Sequence, residues 1–180
     1  MAKAKAKAKI ATIWLDGCSG CHMSFLDVDE YLIELYEVAE IVYSPLVDNK
    51  VFPDMVDVTL VEGAISSEED LEKIKHVREH TRVLVSLGDC AVTGNVPSMR
   101  NVFTLDQITH RAYVETATTN PHPPDKVMPR LLPKVRPVHT AVAVDVYVPG
   151  CPPSADTIKY VVSELLAGRT PDLGDMTRFG

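Results

Sequence analysis

The chain has 180 residues, 46% of them hydrophobic and 24% charged, which suits one domain with a buried core. Its formal net charge is −7 although the first nine residues carry four lysines and no acid, so the body is acidic and nucleic acid is not expected as a partner. No apolar run approaches the ~20 residues of a membrane span, and "MAKAKAKAKI" has neither the apolar stretch of a secretory signal nor a twin arginine, which points to the cytoplasm.

Residues 1–9 read as a solvated Lys/Ala tail ahead of a single domain over 10–180. "KIATIWLD" (9–16) is short, β-branched and aromatic, and Gly17 bounds it, so it reads as a buried strand. From about residue 21 to 37, Phe25, Val28, Leu32, Leu35 and Tyr36 recur at three and four, one face of a helix. "EIVYSPL" (40–46) and "DVTLVEG" (57–63) are the second and third strands. "SSEEDLEKIKHVREH" (66–80) is a helix with a capping box from Ser66 to Glu69. "TRVLVSLGDC" (81–90) and "VAVDVYVPGC" (142–151) are the fourth and fifth strands. "SADTIKYVVSELLAG" (154–168) closes the domain, with Ser154 as N-cap and Gly168 past its end. Between the last two strands, residues 116–139 hold six of the thirteen prolines and show no period. A loop of that length in a compact domain is usually functional, and it is expected to order against a partner chain.

Strands alternating with helices predict an α/β fold: a doubly wound, flavodoxin-like parallel sheet in the order 2-1-3-4-5, with ligands beyond the carboxyl ends of the strands. All four cysteines fall at such ends. Cys18 and Cys21 follow the first strand, Cys90 the fourth and Cys151 the fifth, in the spacing C-x2-C-x68-C-x60-C. In a reducing compartment, four thiols gathered at one edge suggest a metal cluster. A structural zinc site commonly uses two C-x2-C knuckles, whereas one knuckle with two lone cysteines in a domain of this size favours a [4Fe–4S] cubane. Gly17, Gly20, Gly88 and Gly150 would let backbone approach a bulky inorganic core, and Pro149, Pro152 and Pro153 would stiffen the last loop. Cys21 is expected at a helix N-terminus, which favours thiolate.

Other motifs are weaker. There is no G-x-G-x-x-G, P-loop or G-x-S-x-G elbow, and no nucleophile or general base is identified. His76 and His80 are four apart on a charge-rich face and read as solvated. His22 either donates toward the cluster or fills the first helical turn. Glu62 ends an apolar strand at the ligand edge, where it either relays protons or lines the cluster, or else is a helix-cap or loop carboxylate. A zinc-stabilised interaction module and a dithiol redox protein, using Cys18 and Cys21 alone, are the rival readings.

"WLDGCSGCHMSFLD", "VEGAI", "SLGDCAVTGNVPSMRN" and "VYVPGCPPSADTI" together resemble the small subunit of [NiFe] hydrogenases and the related 20 kDa subunit of respiratory complex I. The complex I relatives typically carry adjacent cysteines at the first site, so the separated Cys18 and Cys21 resemble the hydrogenase branch. With no cysteine left for a second cluster, the chain is most similar to the small subunit of the soluble, bidirectional NAD-reducing hydrogenases. The resemblance implies one proximal [4Fe–4S] cluster held by Cys18, Cys21, Cys90 and Cys151, with Glu62 nearby. It also implies a Ni–Fe site in a separate large subunit and a flavin and iron–sulfur diaphorase module completing the assembly. Flavodoxin-like sheets can bind FMN at this edge, but the first loop is given over to cysteines rather than to phosphate-cradling residues, so a flavin in this chain is the weaker expectation.

Overall fold

The computed structural model describes residues 6–177; the first five residues of the Lys/Ala tail and the last three of the chain lie outside the described residues. Five parallel strands form the central sheet: β1 (Ala8–Trp14), β2 (Ala39–Tyr43), β3 (Val56–Glu62), β5 (Thr81–Leu87) and β7 (Val146–Val148). Their order is β2-β1-β3-β5-β7, which is 2-1-3-4-5 counted along the expected strands. The numbering gap arises from a second, two-stranded antiparallel sheet of β4 (Ile65–Ser67) and β6 (Leu131–Arg136). Residues 131–136 therefore correct the reading of 116–139 as one aperiodic loop. Pro133 and Lys134 hide the alternation there, and a two-stranded ribbon tolerates proline because each strand is an edge.

The sheet alternates its side chains between two apolar layers, as a period of two requires. Ile10, Val58, Leu60, Val85, Leu87 and Val148 face one layer. Three helices cover it: α1 (Gly20–Leu26), α2 (Tyr31–Val38) and α7 (Ala155–Leu166), through Phe25, Leu35, Ile158 and Val161. Ile13, Val61 and Leu84 face the other layer, against Ile74 and Val77 of α3 (Glu68–Glu79) and Ala91 of α4 (Gly88–Thr93). Two short helices, α5 (Asn95–Ser98) and α6 (Leu105–His110), follow α4 on the way to β6. Helices on both faces of a parallel sheet are the doubly wound arrangement.

Three boundaries differ from the sequence reading, each for a local reason. The expected helix over 21–37 is two helices, because Asp29 adopts a left-handed φ of 50° between α1 and α2. Asp tolerates that conformation, and apolar spacing alone does not register it. The capping box of α3 lies one residue later than expected, with Ser67 Oγ accepting from the Asp70 backbone N–H at 3.1 Å. The Asp70 carboxylate accepts in return from the Ser66 and Ser67 N–H groups, while Ser66 itself belongs to β4. The fourth strand stops at Leu87 because Gly88 takes φ +81° and turns the chain into α4, which puts Cys90 on a helix. No helix among the described residues is long and apolar enough to cross a membrane.

Candidate metal centre

The four cysteines meet at the carboxyl edge of the sheet. Cys18 lies in the turn after β1, Cys21 in the first turn of α1, Cys90 in the first turn of α4 and Cys151 three residues beyond β7. Cys18 and Cys151 are exposed, Cys90 is half-buried and Cys21 is buried. They are close enough to act on one another electrostatically. Burial pushes the Cys21 thiol far above its usual range, and Glu62 and the other three cysteines push it further. Burial also pushes Cys90 up to about 11, while a hydrogen bond from the Val96 backbone pulls the other way. The helix terminus at Cys21 is thus outweighed by desolvation, contrary to the expected thiolate.

Ionising Cys21 and Cys90 together is disfavoured by burial and by their carboxylate and thiol neighbours. The charged and titratable neighbours that act on them, Glu62 and other cysteines, push both thiols up. A four-thiol donor set in which Cys21 and Cys90 resist ionisation fits an iron–sulfur cluster, whose insertion releases thiol protons. The cradle is also shaped around sulfur. A Cβ on Gly88 would stand 2.2 Å from Cys21 Sγ, and one on Gly20 would stand 3.2 Å from Cys18 Sγ. Gly20 N–H also donates to Cys18 Sγ at 3.4 Å. Gly17 and Gly150 make room elsewhere. A Cβ on Gly17 would meet Gly63 Cα at 3.3 Å, and one on Gly150 would meet Pro153 at 2.7 Å. Among the described residues, no three His, Cys, Asp or Glu side chains come close enough to hold a single ion.

Glu62 continues the Val58–Leu60 row of β3 and so points into the layer that α1 covers. Only 2% of it is exposed. Ser19, the residue before α1, makes no side-chain cap, and Glu62 supplies one from across the sheet. Its carboxylate accepts from Cys21 N–H at 3.4 Å and from His22 N–H at 3.0 Å, and it also contacts His22 Nδ1. Lining the cysteine site and capping a helix are therefore one arrangement. His22, also buried, extends it: Nε2 lies 2.9 Å from Thr12 Oγ1, which donates to Ser44 Oγ at 2.7 Å. Since the Thr12 hydrogen goes to Ser44, His22 Nε2–H is the donor to Thr12. Nδ1 is left facing the Glu62 carboxylate.

Two loops carry the remaining cysteines, and Asp89, 5% exposed, ties them together. Its Oδ1 accepts from Gly150 N–H at 2.7 Å, and its own N–H donates to Gly150 O at 2.9 Å. Ser24 Oγ donates to Pro153 O at 2.5 Å and fastens α1 to the same loop. Sequence reasoning missed Asp89; the signal was an acid between Gly88 and Cys90 in an otherwise apolar stretch. Asp89→Ala is expected to weaken this tie by about 1.5–3 kcal/mol, the range for a hydrogen bond to a charged group. The measurement is iron retained after gel filtration: a clear loss in Asp89→Ala and near-normal retention in Asp89→Asn, which keeps an acceptor oxygen. Equal retention in all three proteins would show that the tie is dispensable.

The family model for the NADH ubiquinone oxidoreductase 20 Kd subunit matches residues 18–165, a span that encloses all four cysteines. The chain belongs to that family. Among members and relatives, it is 44% identical over 180 residues to the delta subunit of the NAD-reducing hydrogenase HoxS of Cupriavidus necator, covering 96% of this chain and 85% of that protein. It is 37% identical over 172 residues to a subunit of the F420-non-reducing hydrogenase of Methanothermobacter marburgensis, covering 93% of this chain but 56% of that one. A crystal structure of NAD+-reducing [NiFe]-hydrogenase in the H2-reduced state contains a chain that superposes with a TM-score of 0.93 at 36% identity. That match covers 97% of this chain and all of the other. The [NiFeSe]-hydrogenase of Dm. baculatum shares the fold at 18% identity and a TM-score of 0.58. As a member of the 20 Kd subunit family, the chain has its likeness to hydrogenase subunits over nearly its whole length.

Proposed function

We propose that this chain is the electron-transferring small subunit of a cytoplasmic, NAD-reducing [NiFe] hydrogenase, acting between the Ni–Fe site of a large subunit and a flavin and iron–sulfur diaphorase module. The observation that carries the reading is the set of four thiols at one sheet edge, in which Cys18, Cys90 and Cys151 all act electrostatically on Cys21. Cys18, Cys21, Cys90 and Cys151 would hold one proximal [4Fe–4S] cluster. Bound there, such a cluster takes up and gives back one electron at a time. The residues around it would hold the ligands in place. Glu62 fixes the start of α1 beneath Cys21, and Asp89 fixes the loops of Cys90 and Cys151 to each other.

The exposed apolar surface beside the cysteines supports a docked partner. Met23 lies on α1, which carries Cys21, and Val96, Met99 and Val102 lie on or just after α5, which follows the Cys90 helix; each is more than half exposed. Exposed apolar side chains at the edge that carries the cysteines favour docking there. The dithiol alternative is disfavoured by Cys21, which is buried and pushed up where an attacking thiol needs a lowered pKa. The zinc alternative is disfavoured because one ion needs all its sulfurs about 2.3 Å from a single point. Cubane thiolates stand on separate irons and lie further apart.

The deciding experiment is iron and acid-labile sulfide per chain, prepared anaerobically, with electron paramagnetic resonance after reduction. About four of each, with the signal of one reduced cubane, is expected. Zinc without sulfide and without a signal would replace the electron-relay reading with a structural one.

A further inference from the structure

The turn between α4 and α5 places two successive residues at positive φ beside the cysteines. Gly94 and Asn95 both have positive φ, 91° and 24°. A left-handed conformation is uncommon for a residue with a side chain, and such residues gather where a group must be aimed. The turn is held firmly. Gly94 N–H donates to Cys90 O at 3.0 Å, Ser98 N–H to Gly94 O at 3.1 Å and Ser98 Oγ to Asn95 O at 2.7 Å. So held, it presents two N–H donors to two different cysteines. The Val96 backbone donates to Cys90, and Asn95 Nδ2 lies 3.5 Å from Cys151 Sγ.

We infer that Asn95 is a positioning residue that sets the reduction potential of the cluster, by donating its side-chain N–H to the Cys151 sulfur from a backbone conformation held for that purpose. The inference rests on the proposed cluster. An N–H···S bond strengthens as the sulfur gains electron density. It therefore stabilises the reduced state more than the oxidised one and raises the potential. Asn95 and Val96 lie next to each other in sequence but serve Cys151 of one loop and Cys90 of another, so a single turn couples both ligands to the same donor array.

The test is a redox titration of the assembled protein followed by electron paramagnetic resonance, after iron and sulfide have been counted in every sample. Asn95→Gly keeps the left-handed backbone and removes the donor. Asn95→Asp keeps the shape, removes the donor and adds charge. Val96→Ala keeps its backbone N–H. The glycine variant should favour the oxidised state by about tenfold, a downward shift of about 59 mV for a one-electron couple. The aspartate variant should fall further, and Val96→Ala should match the wild type. A wild-type potential in either iron-loaded Asn95 variant would overturn the inference. So would loss of iron from both, which would make Asn95 a structural residue only. Absence of sulfide from the wild-type protein would instead overturn the cluster reading on which the inference stands.

Discussion

Replacing Cys90 with alanine is expected to strip the protein of its iron and acid-labile sulfide and to bring hydrogen-dependent NAD reduction by the assembled enzyme to background. Cys90 is a ligand candidate whose loss should disturb the fold little. It is half-buried in the first turn of α4, and removing one sulfur there creates little cavity. Substitutions of that kind usually cost about 1 kcal/mol, a small part of a domain's stability. A cubane with three protein ligands has one iron without a thiolate, and no other cysteine exists to replace it. The circular dichroism of the variant should stay native while metal and activity vanish together. Near-normal hydrogen-dependent activity in Cys90→Ala would remove this residue from the ligand set and reopen the dithiol reading based on Cys18 and Cys21.

Glu62→Ala should be the most destabilising substitution among the buried polar residues. It strands the backbone N–H groups of Cys21 and His22 and removes the partner of His22 Nδ1. Glu62 and His22 are 2% and 6% exposed, so water does not replace what is lost. Breaking a buried, hydrogen-bonded pair from one side costs about 3–5 kcal/mol. For a chain of this length, that corresponds to a fall of roughly 10 °C in the midpoint of thermal unfolding. Glu62→Gln keeps an oxygen acceptor and should lose about a third of that. Thermal unfolding of the wild type and both variants in the same metal-loaded assembly makes the comparison, and a midpoint for Glu62→Ala within about 2–3 °C of wild type, under about 1 kcal/mol, would mean that the network carries no load.

Much of this could be read from one dimension. Short β-branched runs bounded by Gly and Pro mark the five parallel strands, because strand burial imposes composition and length locally. Their alternation with helices leads to the sheet order. The order in turn sends Cys18, Cys21, Cys90 and Cys151 to one edge, because in a parallel sheet all carboxyl ends lie on the same side. The short β4–β6 ribbon escaped notice: three residues are too few to show a period, and Pro133 interrupts the other strand.

What the sequence by itself determined is therefore the class of fold, the edge that carries the chemistry and the thiols that stand there. Tertiary structure decided which polar group answers which. Glu62 caps α1 from 41 residues away, and His22 reaches Thr12 and through it Ser44. Asp89 joins two loops 61 residues apart, and Asn95 turns toward Cys151 rather than toward its neighbour Cys90. The reason is physical. Strand and helix patterns come from forces that act within a few residues. A buried hydrogen bond depends on where two distant backbones cross and on single residues held at positive φ, such as Gly88, Gly94 and Asn95, and neither leaves a periodic trace in the chain.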